Sequence, residues 1–187
     1  GLALWSPGEG DEGGEGNLAV GEGAVDTSQA ATHAEPVYDC GACICFVTPD
    51  GQRTMVTLPG VERHFQPHWF DGAPTKEVAL AFCSGYEVDG AGGHAILDYL
   101  ARIRHDSPEA VIIYAAGPRI ASVSDDKLQK ILELRAVWHI NDQEALEFTG
   151  EETLETAGQQ IAQLTGSTVI VTAGAAGAYV FEPRADE

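Results

Sequence analysis

The chain has 187 residues, 44% hydrophobic and 21% charged, enough for one domain with a sizeable core and ordinary for a globular protein. Its 10 basic and 29 acidic residues give −19, which argues against nucleic acid as a partner; small phosphorylated ligands stay within reach of backbone amides at helix starts. No apolar run approaches the roughly 20 residues that span a bilayer, and GLALWSPGEG lacks the basic flank and apolar stretch of a signal peptide. We therefore expect no membrane partner and a cytoplasmic setting.

Residues 1–23 are Gly/Glu-rich, with neither a helical nor a strand period, and predict a flexible segment ahead of a domain over 24–187. CICFVT and RTMVTL flank Pro49-Asp50-Gly51, where proline presets φ and glycine accepts left-handed geometry, so a β-hairpin is predicted over about 41–58. Cys40, Cys43 and Cys45 read C-x-x-C-x-C. Zinc needs four ligands and the spacing matches no common pair of knuckles, so these and Cys83 are expected as reduced, packed strand cysteines, with no zinc ligand assigned.

After a connection with prolines and aromatics, VERHFQPHWFDGAP, the period changes. EVALAFC (77–83), AVIIYAA (110–116), AVWHI (136–140) and STVIVTAG (167–174) are apolar runs of strand length, and AGAYVFEP (176–183) adds a hairpin partner. Between them GGHAILDYLARIRH, SDDKLQKILELR, a segment from Asn141 and LETAGQQIAQL carry helical spacing, with Ser124 as an N-cap. Strands separated by helices imply parallel pairing with both sheet faces covered. The fold expected is α/β, three layers αβα around a mostly parallel sheet, with a β-hairpin at one end.

Ligands of open α/β sheets bind beyond the carboxyl ends of the strands. There lie Ser84-Gly85, Gly117-Pro118-Arg119, Asn141 to Glu144 and Thr172 to Gly177. Asn141 and Glu144 suit a capping box and equally suit a magnesium ion organised through waters. Gly174 and Gly177 allow close backbone approach and Thr172 offers a hydroxyl to a polyphosphate; a plain β-turn explains them as well. Arg119 either binds phosphate or caps a loop. The six histidines are scattered and none is assigned a role.

In order, AVDTS (24–28), ACICFVTPDGQRT (42–54), SGYEV (84–88), AAGPR (115–119), NDQEALEFTG (141–150) and VTAGAAGAYV (171–180) resemble the ribokinase-like (PfkB) family of carbohydrate and nucleoside kinases. The resemblance implies ATP and Mg²⁺ as cofactors and a sugar or nucleoside as substrate. It implies a nucleotide turn at Thr172, Gly174 and Gly177, and magnesium and phosphate at Asn141 and Glu144. It also implies a substrate lid at the hairpin, with Cys43, Arg53 and Thr54 toward the acceptor, that in this family often pairs with a second subunit. Two departures matter. AAGPR stands where members often show D-P-N-P-R, and the D-T-x-G-A-G-D signature that supplies the catalytic aspartate has no match in these residues.

No catalytic residue is therefore assigned, and the isolated chain is expected to be inactive. The alternative is a non-catalytic ligand-binding or dimerising module of the same descent. A Rossmann-type oxidoreductase is disfavoured, because no G-x-G-x-x-G joins a strand to a helix. Without the family's leading strands, apolar sheet edges and faces would stand exposed.

Overall fold

Side chains alternate between the two faces of a strand, so each strand's burial pattern tells which face of its sheet is covered. The computed structural model describes residues 39–184. The segment expected to be flexible over 1–23, and the AVDTS motif, lie outside the described residues.

The hairpin forms as its turn chemistry predicts. β1 (Ala42–Val47) pairs antiparallel with β2 (Arg53–Leu58), Ala42 opposite Leu58 and Val47 opposite Arg53. Gly51 N donates to Thr48 O at 2.9 Å, and Gln52 N donates to Asp50 Oδ1 at 3.3 Å, closing the turn. Every residue of both strands is exposed. The expectation of packed cysteines therefore fails for Cys40, Cys43 and Cys45, which are exposed because no described layer covers the hairpin; Cys83 alone of the four is buried.

The connection after β2 holds short 3-10 turns at Val61–Arg63 and Pro67–Phe70. Their aromatics stack onto the main body, Phe65 on Phe70 at 5.8 Å and Phe70 on Tyr99 at 4.7 Å between ring centres.

The second sheet contains β3 (Leu80–Ser84), β4 (Val111–Ala115), β5 (Val137–Asn141), β6 (Val169–Thr172) and β7 (Ala178–Phe181), in that spatial order. Neighbours are parallel except β6 and β7, whose antiparallel pairing fulfils the hairpin expected at the end of the chain. The helices are α1 (Gly85–Asp89), α2 (Gly93–Asp106), α3 (Asp125–Glu133), α4 (Asp142–Thr149) and α5 (Leu154–Thr165). Ser124 takes the N-cap position of α3 with extended backbone, followed by Asp125 and Asp126 in the first turn, where the helix dipole favours acids.

Since each new strand is added beside the last, crossovers of one hand lay their helices on one face. Ile112, Tyr114, Trp138, Ile140, Val169 and Val171 point to that face and are at most 1% exposed, beneath Leu97, Leu100, Ile131 and Ile161 of the helices. Full burial of each aliphatic side chain is worth roughly 1.5–3 kcal/mol. The opposite face carries Leu80 and Phe82 of β3, Val111 of β4 and Val180 of β7, exposed by 58%, 62%, 45% and 62%. The fold class is the α/β one expected, but among the described residues helices cover one face of the sheet, not both. No described helix is long and apolar enough to cross a membrane.

Candidate functional site

Parallel strands in register bring their carboxyl ends to one edge. Ser84 lies opposite Ala115, Ala115 opposite His139, and Asn141 opposite Thr172, so the segments following β3, β4, β5 and β6 emerge in a row. The first two touch through a glycine. A Cβ on Gly85 would stand 1.9 Å from Ala116 O, so a larger residue could not let α1 lie against the turn that follows β4. That approach sets Tyr86 beneath Arg119, whose guanidinium carbon is 5.3 Å from the Tyr86 ring centre.

After β5, Asn141 and Glu144 form a complete capping box. Asn141 Oδ1 accepts from Glu144 N at 2.8 Å and Glu144 Oε2 accepts from Asn141 N at 3.1 Å. Glu144 Oε1 takes no part in the box. After β6, Thr172 leads into a 3-10 turn, Gly174–Ala176, closed by Gly177 N donating to Gly174 O at 3.2 Å. Gly174 and Gly177 have φ of +52° and +92°, and nothing lies within 4 Å of where a Cβ would stand on either. The turn is thus open where side chains would stand at these two positions. Among the described residues no cluster of three or more His, Cys, Asp or Glu is placed to hold a metal. A magnesium ion here would rely on few protein carboxylates and its own waters, which suits that ion.

The second part of the site is a cavity of about 310 Å³ between the hairpin and the sheet's carboxyl edge. One wall is the hairpin face bearing Cys43, Met55 and Thr57, continued by Pro59; the other holds Glu62, Arg63, Tyr86 and Arg119. Glu62 fastens the base of the hairpin, accepting from Gly60 N at 2.8 Å and Gly41 N at 2.9 Å. These amides, Gly60's first, hold its carboxyl below the usual glutamate range. Arg63 Nη2 donates to Asp89 Oδ2 at 2.8 Å, and Gly92 N donates to Arg63 O at 2.9 Å, which ties the connection to α1 and α2. Arg119 Nη1 stands 3.9 Å from the same Asp89 oxygen.

Of the residues singled out from sequence, Cys43 and Arg119 line this cavity. Arg53 sits at the far end of the hairpin opposite Val47, and Thr54 opposite Phe46 lies on the face turned away from Cys43. Asn141, Glu144, Thr172, Gly174 and Gly177 share the carboxyl edge. Sequence reasoning assigned nothing to Met55, Thr57, Glu62, Arg63, Tyr86 or Asp89. Tyr86 lay inside the SGYEV match, directly after a strand, which was a usable signal. Arg63 had none, since its partner Asp89 is 26 residues away.

Residues 24–187 match the profile of the pfkB family carbohydrate kinases. Over 147 residues the chain is 28% identical to the uncharacterized sugar kinase YegV of Escherichia coli (strain K12), an overlap of 76% of this chain and 44% of that one. Adenosine kinase from Sinorhizobium meliloti superposes with a TM-score of 0.67 at 19% identity, over 78% of this chain and 45% of that one. Ribokinase from Giardia lamblia gives 0.67 at 17% identity, over 80% and 47%. The chain thus spans about half the length of the relatives it matches, and the structural likeness shows the fold.

Proposed function

The chain belongs to the pfkB family of carbohydrate kinases, and from that premise we propose that it forms part of a site for ATP-dependent phosphoryl transfer to a hydroxyl of a sugar, nucleoside or similar small molecule. The observation that carries this reading is that an open glycine turn, a capped carboxylate and the turns that border a cavity all follow strands along one sheet edge. When bound, magnesium ATP supplies the phosphoryl group and much of the charge neutralisation.

The chain's own contributions are positional. Thr172, Gly174 and Gly177 offer a hydroxyl and accessible backbone to the phosphates. Asn141 fixes Glu144 by the reciprocal cap, so that its remaining oxygen can orient water on magnesium. The cavity under the hairpin receives the acceptor, and the hairpin limits water that would compete for the phosphoryl group. The general base is not assigned to any of these residues, because the family's aspartate signature has no match here.

The test is equilibrium binding of magnesium ATP to the purified chain, alongside an assay for ADP release with sugars and nucleosides. We expect binding without turnover. Ala175→Glu, which adds a like charge beside the phosphates on an exposed turn residue, should weaken binding at least about tenfold. Unchanged affinity in the variant, or no nucleotide binding at all, would overturn the nucleotide assignment; ADP release by the chain alone would overturn the absence of a base.

A second reading, a binding or dimerising module, is favoured by the hairpin's other face. Ile44, Phe46, Val56 and Leu58 there are exposed by 49%, 57%, 46% and 53%. Such a row of apolar side chains on an uncovered sheet suits pairing with a second copy.

A further inference from the structure

Three of the chain's four cysteines lie within 40–45, and its single methionine stands across the hairpin from one of them. Cys43 and Cys45 are two apart on β1, so their side chains leave the same face. Met55 is the direct partner of Cys45, and Thr57 that of Cys43, which puts all four on that face. Two thiols and a thioether thus gather on one side of a hairpin whose register is held by its turn and, at its base, by Glu62. Directly opposite side chains have Cβ atoms about 4.5–5.5 Å apart, and residues two apart on a strand are separated by roughly 6.4–6.8 Å. Strand rotamers lean along the strand, so the three sulfurs can close on one ion by χ1 rotation alone.

The donor set selects the ion. Cysteines packed in a core are inert, but these are exposed, and so is Met55, by 62%. A methionine in that position contributes little to packing, whereas its sulfur is a soft donor. Thr57 Oγ1 points at Cys43 Sγ from 3.9 Å, an outer hydroxyl suited to orienting a ligating sulfur. Zinc would need a fourth ligand, and the carboxylate lining the same cavity, Glu62, has both oxygens on backbone amides. Thiolate together with thioether suits Cu(I).

We propose that Cys43, Cys45 and Met55 form a three-sulfur site for Cu(I). Binding sends the two thiol protons to solvent and leaves a singly negative complex, with Arg53 supplying the opposite charge on the same hairpin face. The site does not rest on phosphoryl transfer, although Cys43 and Met55 also line the cavity.

The test is titration of the reduced 187-residue chain, under argon, with Cu(I) held by the chromophoric chelator bicinchoninate, whose absorbance reports the metal withdrawn. One ion per chain should leave the chelator. Cys43→Ser and Cys45→Ser should each weaken binding at least about a hundredfold and Met55→Leu about tenfold, while Cys40→Ser, outside the paired strand, changes nothing. X-ray absorption at the copper edge of the unmutated complex should show three sulfur neighbours and neither nitrogen nor oxygen. Circular dichroism checks that each variant is folded. No withdrawal of copper, more than one ion per chain, or nitrogen or oxygen neighbours would overturn the site. So would a loss on Cys40→Ser equal to that on Cys43→Ser, or an unchanged affinity in Met55→Leu.

Discussion

Cys43 and Cys83 are the same side chain in opposite surroundings. Cys83 on β3 is 3% exposed beneath the helices, and burial, with the Glu87 carboxylate adding, pushes its thiol up to about 12. Cys40, Cys43 and Cys45 are exposed. At mildly alkaline pH, iodoacetamide should modify three thiols of the native chain by mass and the fourth only in denaturant, since the thiolate is the nucleophile. Rapid native labelling of Cys83 would contradict its placement in the core. The spacing of the cysteines argued against zinc from sequence, but their burial was not legible there, because exposure depends on whether another layer lies over the strand. Arg119 and Tyr86 make the same point. Each was visible after a strand, yet their contact required the close approach at Gly85, which no periodicity encodes.

At the scale of elements, the hairpin is the part most directly written in the chain. Pro49-Asp50-Gly51 fixed the turn, and Gly51 has the positive φ (+82°) that such a turn uses. What holds the hairpin's base was not readable, since Glu62 gathers amides from Gly41 and Gly60 across 21 and 2 residues. Its folded-state carboxyl is held low, so its contribution is complete above the ordinary glutamate value and is lost as pH falls through the lowered one. The amide-proton resonances of Gly41 and Gly60 should therefore titrate together with a midpoint below the ordinary glutamate value, and Glu62→Gln should remove that titration. A midpoint at or above the ordinary value, or amides that do not move, would contradict the tie. The parallel strands were legible as apolar runs, but VIIYA and VWHIN read as buried on both sides when only alternate residues are covered. A continuous apolar run records what a strand is suited to pack against, not whether both neighbours are supplied by the same residues.

Across the whole molecule, the singly wound order of β3 to β6 accounts for both the site and the uncovered face. It aligns four carboxyl ends on one edge and sends every described helix to one side. The family resemblance and the carboxyl-edge residues were legible as an ordered set of short motifs, because each follows a strand directly. The cavity was not, because its walls come from the hairpin, the connection and two post-strand turns. The central claim is that this edge holds nucleotide phosphates. Backbone amide shifts of the isotope-labelled chain, followed during addition of magnesium ADP, test it most directly. The account predicts that the largest changes cluster at 172–177 and 141–144, at one end of the sheet. Changes confined to the helical face, or no saturable change at those residues, would contradict it.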